Sequence, residues 1–326
     1  MTQYPSYSVA IRTLGTAGEK YLETLRSVER QSVQPENIYV YIPHGYELPK
    51  ETIGKEIYVR CEKGMVTQRS LRFDEIKSEF ILFLDDDLSF KEDFVEILFN
   101  GIIEKQGDCI CPNIYPNHKE RFIYKIRNYF GGTKPHFKKD WAFIIRKDGH
   151  YSYNNNPSQP VLLTQSGAGA CSLCRKSTYL SIHFEDERWI EQYPYALGDD
   201  QLFFYKMYLY GHRVLTSYSA QITHLDAGTG HVKDSKKFSY FYSYLDYIVW
   251  RRSVYDVQSS LSKKIMCSIS YNIIYFLRSL PLSILIMIYY RTPRGFINSL
   301  KGLRDAKKYV KSDQYNSIPP FLAHKK

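Results

Sequence analysis

The sequence has little of what marks a secreted, repetitive or membrane-spanning protein. Its 326 residues include only six cysteines, Cys61, Cys109, Cys111, Cys171, Cys174 and Cys267. Cys171 and Cys174 form a C-x-x-C, but no second pair stands at a matching distance, while Cys109 and Cys111 alternate with Ile110 as in a buried strand. Structural thiols are therefore expected in preference to zinc or redox chemistry. No charged-then-apolar leader opens the sequence, which with the scattered cysteines points to the reducing cytoplasm. No internal repeat or low-complexity tract is present. No run of about twenty apolar residues goes uninterrupted, as a spanning helix requires. The most apolar window, Ile265 to Tyr290, contains Arg278 and Pro281. Acidic residues are in deficit, 34 against 44 Lys and Arg, for a formal net charge of +10. Such an excess attracts anions. No known nucleic-acid-binding motif accompanies it, and the basic residues gather beside apolar C-terminal runs, so nucleic acid is not the expected partner.

What is present reads first as an α/β domain. Ser8 to Arg12 is an apolar strand, broken by Gly15 and Gly18 and followed by a helical periodicity through Tyr21, Leu22, Leu25 and Val28. Asn37 to Ile42, closed by Pro43, is a second strand and Glu56 to Arg60 a third; Met65 to Lys77 reads as helical. Glu79 to Leu84 is nearly all apolar and runs straight into Asp85, Asp86 and Asp87. A helix through Ile103 and a strand at Cys109 to Pro112 follow. The stretch from Asn117 to Pro160 has no clean period and reads as loops and short elements over the site. Strands of this kind, alternating with helices, imply a mostly parallel sheet covered by helices, with ligands outside the carboxyl ends of the strands. The domain is expected to run from residue 1 to 235.

Three consecutive aspartates at a strand end repel one another unless a cation is present. A helix cap needs only one acid, whereas Asp85 and Asp87, one residue apart, suit two hard ligands of Mg²⁺ or Mn²⁺. A second acidic pair, Asp199 and Asp200, follows Gly198 and opens the apolar run Leu202 to Leu209. One of the two is read as a cap, leaving the other for general-base work.

In order and spacing, these pieces resemble the nucleotide-sugar-binding GT-A fold, and in particular the inverting glycosyltransferases of family 2 that include bacterial polysaccharide and cell-wall transferases. The resemblance covers Ser8 to His224, about two thirds of the chain. It rests on Ser8 to Thr13 as the opening strand, on Gln31-Ser32, on Gly64 with Arg69-Ser70, and on Phe83-Leu84-Asp85-Asp86-Asp87 as the Asp-x-Asp motif. Gly198 to Leu202 stands for the Glu-Asp pair, with Lys206 and Gly211 at the spacing of the Arg and Gly that follow it, and Ile222-Thr223-His224 for the strand-terminal His. The resemblance implies that Asp85, Asp87 and His224 serve the metal and that Thr13, Arg69, Asp85, Asp86, Gly167 and Ala168 contact the nucleotide-sugar. It implies Asp200 as the base, with Asp199 beside it. Two departures bear on the reading. The second strand ends without the acid that usually reads the nucleotide base, and the Gln-x-x-Arg-Trp motif of processive synthases is missing, which favours transfer of one sugar per encounter.

From about Lys236 the composition changes. Residues 236–326 read as a basic, aromatic-rich helical extension, with Arg251-Arg252 and Lys263-Lys264 flanking apolar runs. A helix in the membrane interface, or a re-entrant hairpin broken at Pro281, fits Ile265 to Tyr290 better than a span. The expected partners are a nucleotide-sugar, UDP-linked by preference, a glycan or lipid-linked acceptor, and an anionic membrane surface; the expected place is the cytoplasm, against the inner face of the cell membrane. A nucleotidyltransferase is the nearest alternative, but Gly15 to Lys20 is only a faint echo of its phosphate loop. A nucleic-acid-binding protein is the more distant one.

Overall fold

Alternate residues of two apolar segments feed two separate cores, and this makes them the central strands. In a computed structural model that describes residues 4–114, 134–154, 156–193, 196–225, 235–289 and 293–325, β1 spans Tyr7–Arg12, followed by α1 (Glu19–Glu29), β2 (Ile38–Pro43), β3 (Glu56–Cys61), α2 (Met65–Arg69) and β4 (Phe80–Asp85). Phe80, Leu82 and Leu84 of β4 join Val9 and Ile11 on one side of the sheet, while Ile81 and Phe83 join Ala10 on the other. A strand with both faces buried must have helices above and below. The chain continues through β5 (Leu88–Phe90), α3 (Phe94–Lys105), β6 (Cys109–Pro112), β7 (Lys134–His136), β8 (Phe143–Ile145), β9 (Tyr151–Asn154), β10 (Val161–Leu163) and β11 (Cys171–Arg175). After α4 (Lys176–Ser181) and a 3₁₀ segment at Phe184–Gln192 come α5 (Asp199–Tyr210), β12 (Val214–Ser217) and β13 (Ile222–His224).

Eight strands form the main sheet in the order β10-β12-β6-β11-β4-β1-β2-β3. β1 lies parallel to β2 and β4, β2 to β3 and β6 to β12, whereas β11 is antiparallel to both β4 and β6. β7, β9 and β8 make a small separate sheet, and β5 pairs with β13. The mostly parallel α/β reading therefore holds. Cys171 and Cys174, three apart on a strand, join opposite cores, so the C-x-x-C cannot close on one ion. All six thiols are free and buried.

The helix expected over Met65 to Lys77 stops at Arg69. Phe73 takes a left-handed conformation, φ 52°, which inserts its ring among Tyr41, Phe83 and Tyr179. The Tyr179 hydroxyl lies 2.7 Å from the carbonyl oxygen of Arg69 and also reaches that of Leu71. Burial of an aromatic cluster outweighs the modest helical preference of the segment.

The C-terminal segment is helical. α6 (Ser235–Trp250) runs into a π-turn at Arg251–Tyr255; α7 (Leu261–Ile274) passes through a second, Tyr275–Ser279, into α8 (Leu280–Tyr289); α9 (Arg294–Tyr309) and α10 (Asp313–Asn316) follow. α7 and α8 run on through Pro281, so the chain does not reverse there as a hairpin would. A widened turn just before a proline is a known way to accommodate its missing N–H and its ring. Leu245, Ile248 and Val249 of α6 pack with Phe203 and Phe204 of α5 in one core. A Cβ on Gly302 of α9 would lie 2.3 Å from the carbonyl oxygen of Tyr240, which brings α9 close along α6.

Candidate active site

β4 delivers its aspartates to the carboxyl end of the sheet beside the end of β1, since the parallel register sets Arg12 against Asp85. The Arg12 guanidinium donates to the Asp85 carboxylate at 2.6 Å and to the Gly169 carbonyl at 3.2 Å. Burial raises the Asp85 carboxyl above its usual range, against the pull of Arg12 and Arg69. The next residue, Asp86, accepts a hydrogen bond from the Thr13 hydroxyl, and burial pushes it up to about 6.

The second acidic pair arrives from the opposite side. Gly198, at φ 97°, turns the chain into α5, where a Cβ would lie 3.1 Å from the Val249 side chain; a left-handed turn this crowded favours glycine. Asp199 and Asp200 therefore open the helix. Arg69, buried at the end of α2, binds Asp199 at 2.7 Å and also pairs with Asp200. Burial works against the Arg69 cation, but the two carboxylates outweigh it and hold it charged. The pair is unequal, with the Asp199 side chain 10% exposed and that of Asp200 43%. Burial pushes Asp199 up to about 6 despite Arg69.

Gly169 sits between the two acid groups. Its carbonyl oxygen accepts from Arg12 and, at 3.4 Å, from Arg69. A Cβ there would fall 1.9 Å from Asp200 Oδ1 and 2.3 Å from Arg69 Nη2. No side chain fits. Exchange of Gly169 for Ala is accordingly expected to displace Asp200 without loss of the fold, as far-ultraviolet dichroism beside the solvent accessibility of the cleft would show.

Asp87 and His224 meet at the third corner. The short β5–β13 pairing sets His224 opposite Leu88, and the His224 Nε2 lies 3.4 Å from Asp87 Oδ1. Asp87 is buried and His224 is exposed. A carboxylate and an imidazole side by side at the cleft fit a divalent cation. Asp85 commits one of its two oxygens to Arg12, and among the described residues no three His, Cys, Asp or Glu side chains converge as a ready metal cage.

These groups line one cleft of about 520 Å³, which also takes in Lys63, Gln68 and Ala168. Of the residues singled out in the sequence, Thr13, Arg69, Asp85, Asp86, Asp87, Ala168, Asp199, Asp200 and His224 share it. Gly167 does not line it; a Cβ there would meet Cys111 and Phe204. Arg12 and Gly169 were not foreseen. An arginine closing an apolar strand was the available signal for the first, and a second glycine two residues after Gly167 for the second.

Residues 50–166 match the family model for glycosyl transferase family 2. No curated protein matches the chain. Among solved structures it is similar to GalNAc-T7 with UDP, GalNAc and Mn²⁺, at a TM-score of 0.50 and 12% identity over 89% of this chain and 59% of that one. It is also similar to TarS of S. aureus, at a TM-score of 0.50 and 13% identity over 98% of this chain and 52% of the other. The chain thus spans between half and three fifths of the length of these two structures. At such identities the likeness shows the fold. Together with the matched segment it defines the class of fold: the chain has the GT-A, family 2-like fold.

Proposed function

We propose that the protein moves one sugar at a time from a nucleotide-sugar, UDP-linked by preference, to a hydroxyl of a glycan or lipid-linked saccharide, with inversion. The observation that carries this reading is the inequality of the acid pair, in which Asp199 is buried against Arg69 while Asp200 stands open to the cleft that Asp85, Asp86 and Asp87 also line. Asp200 takes the proton of the acceptor hydroxyl as its oxygen bonds to the anomeric carbon; the bond from that carbon to the phosphate oxygen breaks, and its electron pair leaves with the diphosphate. Attack from the side opposite the leaving group inverts the centre. Asp87 and His224 would hold Mn²⁺ or Mg²⁺, which when bound supplies positive charge for the departing diphosphate. Arg69 acts by fixing Asp200, and the Asp85–Arg12 pair by fixing the floor beneath the donor. The ligands of the GalNAc-T7 structure belong to the same classes. We further place the enzyme in the cytoplasm, peripheral to the inner face of the cell membrane.

Released nucleotide, scored for a panel of nucleotide-sugars with and without Mn²⁺, tests the reading directly; no release from any donor overturns it. Asp87→Asn is expected to keep the fold and lose Mn²⁺-dependent nucleotide binding, measured by titration calorimetry. Binding that keeps its Mn²⁺ dependence in this variant refutes the ligand assignment.

A further inference from the structure

We propose that α7 and α8, with the start of α9, form a surface that lies flat in the headgroup region of an anionic bilayer. The proposal gives the peripheral placement a definite face; it rests on that placement only for the acceptor. Of the fifteen large apolar side chains that the described residues leave exposed, ten fall between Leu261 and Leu300. Leu261, Ile265, Ile269, Ile273 and Phe276, spaced four, four, four and three apart, lie on one helical face, and each is about half exposed or more, up to 72% at Leu261. The opposite face is taken. Cys267, Tyr271 and Tyr275 are buried with Trp250, and the Tyr271 ring stacks on the Trp250 ring at 4.4 Å. The helix therefore cannot roll to hide its apolar stripe in the protein.

Charge selects the occupant. Residues 257–304 contain no Asp or Glu and seven Lys and Arg, among them the stripe's neighbours Lys263 and Lys264. An apolar stripe in a segment whose charged residues are all cations suits an anionic lipid surface. A second copy does not suit it, because a two-fold interface would set this cationic patch against itself. Crossing is disfavoured, since no helix among the described residues is long and apolar enough to span a membrane.

The face is also tied to the chemistry. Lys147 Nζ lies 3.9 Å from Met266 Sδ, and the Lys147 carbonyl accepts from the Trp250 indole at 2.9 Å. Two residues on, the Gly149 carbonyl accepts from the Gln201 amide at 2.8 Å, and Gln201 follows Asp200 in α5. A membrane-seated α7 would hold the open carboxylate at a set height for an acceptor confined to the same surface. Arg251 and Arg252 are not part of the face. Arg251 pairs with Asp256 at 2.9 Å and Arg252 is buried, which removes them from the headgroup contacts anticipated for the basic pairs.

Flotation of the full chain with vesicles of equal parts phosphatidylcholine and phosphatidylglycerol, against pure phosphatidylcholine, is the test. The wild type is expected to float with the anionic vesicles and to sink with the neutral ones. The double variant Ile269→Glu, Ile273→Glu should keep its donor hydrolysis and bind anionic vesicles about a hundredfold more weakly, each isoleucine forfeiting roughly a factor of ten in burial. Sedimentation of the wild type with both vesicle types overturns the proposal, as does unchanged flotation of the double variant. So does light scattering that shows a dimer dissolved by the same substitutions. Failure of the sugar-transfer reading would appear only in the nucleotide-release assay and would leave flotation untouched.

Discussion

Replacement of Asp200 by Asn is expected to lower turnover by about 10²–10⁴-fold, the usual worth of a general base, with donor binding and melting temperature near those of the wild type. The amide keeps the size of the carboxylate and its Oδ1 can still accept from Arg69, so the cleft should hold its shape. Only proton acceptance is lost. Asp199→Asn should behave differently, because Asp199 is the buried partner of Arg69 at 2.7 Å and its neutralisation leaves a buried cation under-compensated. That variant is expected to melt earlier, with its loss of turnover following from a loosened Arg69. Rates for both variants at saturating donor, set beside thermal melts, separate the two roles. A stable, inactive Asp199→Asn beside an active Asp200→Asn would show that the base is the other member of the pair.

The pattern of strands was legible because each central strand is apolar and bounded by glycine, proline or acid, and because buried parallel strands need no alternation to be recognised. The aspartates at the end of β4 and the pair at the start of α5 could be read for the same reason, since polar residues that interrupt an apolar run stand out. What could not be read were relations fixed only by packing. Nothing local shows that Arg12 reaches Asp85, that the Gly169 carbonyl sits between two guanidinium groups, or that Phe73 would end a helix to fill an aromatic cluster. The very short strands β5 and β10 were also missed, for three residues carry too little period to separate from a loop. Arg252 illustrates the same limit from the other side. Beside Arg251 and an apolar run it reads as a surface cation, and only the fold reveals Glu187 facing it.

Removal of that glutamate is expected to destabilise the protein more than any substitution in the cleft. Glu187 is fully buried and accepts from Arg252 at 2.6 and 2.9 Å, from Lys206 at 2.9 Å and from the Trp189 indole at 2.8 Å. Burial alone would raise its carboxyl, but Arg252 and Lys206 outweigh it and hold the group below the usual carboxylate range. Its contribution to stability is therefore complete above the ordinary glutamate range and is lost as pH falls through the depressed value. Glu187→Ala leaves two buried cations, Lys206 and Arg252, facing an empty site, and breaking a buried pair in this way costs about 3–5 kcal/mol. The loss reaches α5, since Lys206 lies on the helix that begins with Asp199 and Asp200. It also reaches the C-terminal segment, where Arg252 donates to the Pro319 carbonyl at 2.8 Å and the Phe321 ring lies 5.3 Å from Lys206 Nζ and 5.7 Å from the Arg252 guanidinium carbon. A chain cut after Ser235 would lack Arg252, Phe321 and the α6 residues Leu245, Ile248 and Val249 together, and it is expected to be insoluble. Urea melts of Glu187→Ala, Arg252→Met and the double variant decide between unpaired charge and lost packing. If charge dominates, the double variant is more stable than Glu187→Ala alone; additive losses would mean that the network holds the tail to α5 by shape and contact, with little from the ion pairs.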